Sequence, residues 1–139
     1  MKIMKQELVI PLISLILAVA AFTFSLMAFF TKRKDYRKEL SYRMLFDLNS
    51  VYVQHHEKVF ITGKEKDLTQ IQSAHASLNM NFIEAVYRMK LQNDSFLEPA
   101  ISSLIKIYYH WYKKNKQFYS EDFREYMENQ YKIMVSENN

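Results

Sequence analysis

The sequence predicts an all-α protein with one N-terminal transmembrane helix continuing into a cytosolic helical bundle. Three observations carry that prediction. The run Leu8 to Phe30, LVIPLISLILAVAAFTFSLMAFF, contains no charged residue. The whole chain of 139 residues holds a single glycine, Gly63, and two prolines, Pro11 and Pro99. That is too little turn chemistry for hairpins, and it leaves no glycine-rich phosphate loop. Downstream of Phe30, apolar residues recur at steps of three and four, the period of an amphipathic helix rather than of a strand.

At ~1.5 Å of rise per residue, the apolar run makes a helix roughly 34 Å long, enough to cross a hydrocarbon core about 30 Å thick. A cleaved leader is the competing reading, because Lys2 and Lys5 precede the run and Ala18-Val19-Ala20 offers the small residues of a cleavage site. The run continues well past Ala20, however, and stops at a basic cluster, which is the pattern of a stop-transfer anchor. That cluster is Lys32, Arg33, Lys34, Arg37 and Lys38. It outweighs the basic residues on the other flank, so it is expected to stay cytoplasmic and to meet anionic lipid head groups at ~1 kcal/mol per charge. The expected topology is a short N-terminus outside and the rest of the chain in the cytosol.

Within the span, Pro11, Ser14, Ala18, Ala21, Ser25 and Ala28 follow one another at steps of 3, 4, 3, 4 and 3. Lipid supplies no hydrophobic drive for helix pairing, so association depends on close backbone approach, which a stripe of small residues permits. Self-association through Ser14, Ala18, Ala21, Ser25 and Ala28 is the expectation. Pro11 falls near the helix start, where a missing N–H costs least.

The chain divides into an anchor (1–31), a juxtamembrane helical stalk (32–62) and a cytosolic helical domain (63–139). Nothing breaks the helix between Thr31 and Gly63, and Leu40, Met44, Leu48, Val51 and Val59 lie near one face, joined by Leu45 and Tyr52. Gly63 is expected to end it. A second helix is predicted from an Asp67 cap, with Gln70 reaching back, and carries Leu68, Ile71, His75, Leu78, Phe82, Val86 and Met89 to about Leu91. Asn93-Asp94-Ser95 breaks it. A third helix has Pro99 in its first turn and Leu97, Ile101, Leu104, Tyr108 and Trp111 on one stripe, ending near Lys116. Ser120 is expected to cap a fourth helix with Glu121 and Asp122 in its first turn and Phe123, Met127 and Met134 along one side.

Candidate chemistry is sparse. Cysteine is absent, which excludes thiolate catalysis, disulfides and cysteine-ligated metals. The histidines His55, His56, His75 and His110 form no HExxH or His-x3-His pattern, so no metal, cofactor or catalytic residue is assigned. No arginine stands four to six residues before a histidine, the motif of helical HEPN ribonucleases. The densest unusual stretch is Tyr108-Tyr109-His110-Trp111-Tyr112-Lys113-Lys114. Tyr108, Trp111, Tyr112, Lys113 and Lys114 could stack on and neutralise a nucleotide or single-stranded RNA, or the aromatics could anchor a core or a protein interface. The expected partners are therefore membrane lipids, further copies of the chain and a cytosolic protein, with nucleic acid or nucleotide resting on that stretch alone.

The layout LVIPLISLILAVAAFTFSLMAFF, then TKRKDYRK, then helices, resembles the small oligomeric membrane proteins of bacterial antiphage systems, such as the pore-forming accessory proteins of type VI CRISPR loci. The resemblance is one of layout and brings no functional residue with it. It implies a non-enzymatic, homo-oligomeric, single-pass protein of a bacterial inner membrane that forms a pore or disturbs the membrane in antiviral defence. A membrane-anchored module that recruits a cytosolic protein, or one that senses a nucleotide or RNA, is the alternative.

Overall fold

A computed structural model describes the backbone of residues 3–137 and the side chains of residues 17–137. The described chain is all helical: α1 (Ile3–Gln54), α2 (His56–Val59), α3 (Gln70–Arg88), α4 (Leu97–Asn115), a 3-10 turn (Lys116–Phe118) and α5 (Glu121–Ser136). It falls into two compact units, Met1–Lys38 and Glu39–Asn139.

In the first unit, Leu17, Val19, Phe22, Phe24, Leu26, Met27, Phe29 and Phe30 are all exposed. The hydroxyls between them bond to their own helix: Thr23 Oγ1 donates to the carbonyls of Val19 and Ala20, Ser25 Oγ to Ala21 and Thr31 Oγ1 to Met27. Among the described residues no helix is long and apolar enough to cross a membrane. The described side chains begin at Leu17, and the fourteen positions from there to Phe30 fall short of the ~20 that a span requires. The remainder of the predicted span, Leu8 to Ile16, lies outside the described side chains, as does Ser14 of the small-residue stripe.

The second unit begins on α1. Ser41 and Leu45 are buried, with Met44 and Leu48 packed against the same core. The stalk face expected there therefore belongs to the bundle, and the compact unit starts at Glu39 rather than after Thr62. The helix also ends earlier than Gly63. His55 leaves the helical region (φ −125, ψ 25) and α2 restarts at once, a break that turns Val59 and Ile61 inward, where both are buried. The rings of Tyr52, His56 and Phe60 follow one another across it at 5.0 Å per step. Gly63 has φ +81, and a Cβ there would stand 2.9 Å from the Ile107 carbonyl oxygen. Its role is close approach of the 60–69 loop to α4, not helix termination.

The cap of α3 is Thr69 rather than Asp67. Thr69 Oγ1 accepts from Gln72 N at 3.2 Å and Gln72 Oε1 accepts from Thr69 N at 2.9 Å, a full capping box two residues beyond the expected one. Gln72 also donates Nε2 to the Phe60 carbonyl, tying the loop down. The buried face is His75, Ala76, Asn79, Met80, Phe82, Ile83 and Val86, whereas Ile71 and Leu78 of the predicted stripe are half exposed. At the far end Lys90 N donates to the Tyr87 carbonyl and Leu91 N to Val86, the two bonds of a Schellman cap. Its left-handed residue is Lys90, at φ 58.

Helix α4 begins at Leu97 and is anchored by Asp94, whose Oδ1 accepts from Phe96 N, from Leu97 N and from Tyr42 OH of α1. It buries Leu97, Ile101, Ile105, Tyr108, Tyr109 and Tyr112. Helix α5 starts after Ser120 as expected and buries Phe123, Met127 and Met134. The Ser120 side chain caps no backbone N–H; its hydroxyl bonds instead to Asp122, a contact that helps hold the Asp122 carboxyl below its ordinary range.

Replacing Lys90 with glycine removes the cost of a side chain in the left-handed region and should raise stability by about 1 kcal/mol. Gly63→Ala should lower stability by about 1–3 kcal/mol. Urea unfolding of the detergent-solubilised full chain, followed by circular dichroism, measures both.

Candidate interaction surfaces

The Tyr108 to Lys114 stretch is divided by the fold rather than gathered. Tyr108 and Tyr112 face the core, Tyr112 with no exposed surface, so neither ring is free to stack on a ligand. Trp111 is half-buried on another side of α4, where its Nε1 donates to Ser73 Oγ of α3 at 2.9 Å. Lys114 Nζ donates to the Lys66 carbonyl across the loop, while Lys113 is exposed. Only Trp111 and Lys114 of the five share a cleft, of about 200 Å³, with His110, Glu65, Leu68 and Ile107 among its walls. The loop wall is preset: Thr62 donates both N–H and hydroxyl to Glu65 Oε1, at 2.6 and 3.0 Å, and the backbone bond from Thr62 leads the causes that hold the Glu65 carboxyl below its usual range.

Inside the bundle the packing is aromatic. Tyr109 stacks on Tyr131 with centroids 3.6 Å apart and planes 4° from parallel, and its hydroxyl donates to Glu128 Oε2 at 3.1 Å. Tyr87 stacks on Tyr126 at 4.7 Å. Burial pushes the Tyr108, Tyr109, Tyr112, Tyr119 and Tyr126 phenols up to about 12. They are therefore neutral near pH 7 and unsuited to acid–base catalysis there.

Sequence spacing put His75 on the apolar side of its helix but not its partners. It is 4% exposed and Nδ1 lies 3.0 Å from the Tyr108 hydroxyl. Asn79 Nδ2 donates to the His75 carbonyl at 2.8 Å. Desolvation holds its pKa below the ordinary histidine value. Among the described residues no group of three or more His, Asp or Glu could hold a metal ion.

What remains for recognition is apolar surface. A groove of about 740 Å³ runs between α1 and Phe96, lined by Glu39, Tyr42, Arg43, Phe46 and Asn49. Phe46 and Phe96 on its walls are 74% and 60% exposed, and the Tyr42 ring meets Phe96 edge-on at 4.8 Å. Glu39 and Arg43 pair at 3.0 Å on its rim, but both side chains are mostly exposed, so the pair is worth only a few tenths of a kcal/mol. A second groove, of about 330 Å³, lies between α3 and the α1–α2 break, with Val51, Val59, Ile71 and Leu78 in its walls. Phe46 and Phe96 went unread as a pair in the sequence, because only tertiary structure sets a loop residue beside α1. The basic cluster Lys32, Arg33, Lys34, Arg37 and Lys38 lies on α1 in the first unit; Lys32, Arg33 and Lys34 are exposed and Arg37 and Lys38 half-exposed.

No protein-family model, curated protein or solved structure matches the chain.

Because His75 has a lower pKa folded than unfolded, its neutral form supports the fold above the unfolded value of about 6.5, and that support is lost as pH falls through the folded value. The urea midpoint should therefore drop between pH 7.5 and pH 5.5, and His75→Gln should flatten this part of the profile. Urea titrations of both proteins across that range are the check.

Proposed function

We propose that the protein is a single-span membrane anchor carrying a helical interaction module on the cytoplasmic side. The observation that supports this most is the exposed apolar surface of α1 from Leu17 to Phe30, followed immediately by five cations. Eight large apolar side chains on one helix stretch are a surface for lipid, since water penalises each by about 1.5–3 kcal/mol relative to burial. With Leu8 to Ile16 ahead of it, the uncharged run reaches spanning length. The cations then set the side of the membrane.

A tether agrees with the polar groups of the run better than a water-filled pore does. Thr23 and Ser25 spend their hydroxyl protons on their own helix, so no donor among the described residues of the run is aimed off it toward a lumen. The bundle, with its aromatic core and two apolar grooves, suits capture of a protein partner rather than catalysis. Self-association through Ala18, Ala21, Ser25 and Ala28 belongs to the same proposal, as the way in which anchors gather in the bilayer. Swapping Leu8 to Phe30 for an unrelated membrane helix separates the two readings: a tether keeps its partner binding, whereas a pore loses dye leakage.

Membrane fractions washed with alkaline carbonate should retain the full chain. Val19→Arg, placed at the middle of the run, costs about 2.5–3.5 kcal/mol of insertion and should move the protein into the supernatant. Wild-type protein found in the supernatant would overturn the anchor.

A further inference from the structure

Helix α3 carries two large aliphatic residues that its packing leaves out. Ile71 and Leu78 belong to the apolar stripe of the sequence, yet they are 53% and 52% exposed, because α3 turns His75, Ala76, Phe82 and Ile83 into the core instead. Ala74 stands between them, three residues from one and four from the other, and so on the same side of the helix. Its short side chain leaves a trough that a larger residue would fill. The other wall comes from the break at His55: where α1 ends and α2 restarts, Val51 and Val59 line the far side. Together these residues bound the groove of about 330 Å³.

The lining of the groove selects its occupant. Among the described residues it is aliphatic, with no phenyl, phenol or indole ring, so it offers no plane on which a flat ring would stack. No carboxylate lines it either, and its one permanently charged side chain is Lys58, which is exposed and makes no ion pair among the described residues. An apolar trough with a lone cation on its rim complements an apolar chain that ends in an anion. Volume sets the length: at roughly 30 Å³ for a methylene-sized group, the share of one water molecule in the liquid, 330 Å³ holds about ten. That is one short chain, not the two long ones of a phospholipid. A partner helix would ask for several anchor pockets in a row, whereas this is a single trough.

We propose that the groove between α3 and the α1–α2 break binds a free fatty acid of about ten carbons, its chain laid between Ile71, Leu78 and Val51 and its carboxylate at Lys58. All of these residues belong to the second unit, so the site does not depend on the anchor. The larger groove, beside Phe46 and Phe96, is left for the protein partner.

Isothermal titration calorimetry of the full chain in lipid nanodiscs, blanked against empty nanodiscs, tests the site with a series of straight-chain carboxylates. From hexanoate to decanoate each added methylene should tighten binding about fourfold. From decanoate to tetradecanoate the gain should stop, because the groove is full; partition into the bilayer gives no such plateau. Decanoate should bind about fivefold tighter than decylammonium, and Lys58→Glu should reverse that order. Ala74→Phe, which fills the trough from an exposed position, should weaken decanoate by about tenfold or more while circular dichroism stays unchanged. No binding above the blank, or decanoate binding that Ala74→Phe leaves intact, overturns the site. Affinity that climbs without a plateau, or equal binding of acid and amine, overturns it too and leaves an unselective apolar face of the kind that a partner helix covers.

Discussion

The second unit depends on the burial of one helix from several sides. Helix α4 sends Leu97, Ile101 and Ile105 into the core along one stripe and then, in its last two turns, buries Tyr108, Tyr109 and Tyr112. Tyr108 meets α3 at His75, and Tyr109 meets α5 at Glu128 and Tyr131. The loop ahead of α3 lies against the α4 backbone at Gly63 and Ile107. A helix used this way needs side chains that are large, flat and polar only at the tip, and tyrosine is that residue.

Polar groups set the geometry of that core more than its strength. His75, Asn79 and Tyr108 form a hydrogen-bonded node in an otherwise apolar interior, and a buried node of this kind fixes one arrangement because any other leaves its members unpaired. Tyr42, Asp94 and the first turn of α4 make a second node, which aligns the part of α1 from Glu39 onward with the start of α4. Phe46 and Val53 of the same helix stay exposed, Phe46 on the wall of the groove that Tyr42 and Phe96 also line.

Helix content and order were legible because periodicity, scarce glycine and the Ser120 boundary are local signals. At the start of α3 two local signals competed. Asp67 and Thr69 are both good caps, and the choice went to Thr69 because Gln72 can reach back from there and also tie Phe60. The end of α3 was placed late because the sequence marks it with Lys90, whose left-handed backbone is ordinarily the work of glycine. The end of α1 was also placed late. Its break at His55 is set by the burial of Val59 and Ile61, a tertiary demand with no local marker. Of the Tyr108 to Lys114 stretch, the residue types were legible but not their directions: a run of four aromatics among five residues must send rings to opposite sides of a helix, and only packing decides which go in.

Trp111 is the only indole in the chain, and its position gives it a use beyond packing. Its N–H is pinned to Ser73 on α3, its backbone carbonyl accepts from Asn115 Nδ2, and its ring walls the cleft beneath the 60–69 loop. Half in the core and half against that loop, it converts loop displacement into a change of local polarity. The protein thus carries an intrinsic emission probe at the junction of α3, α4 and the loop, and any occupant of that cleft will register as a spectral shift without a label being attached.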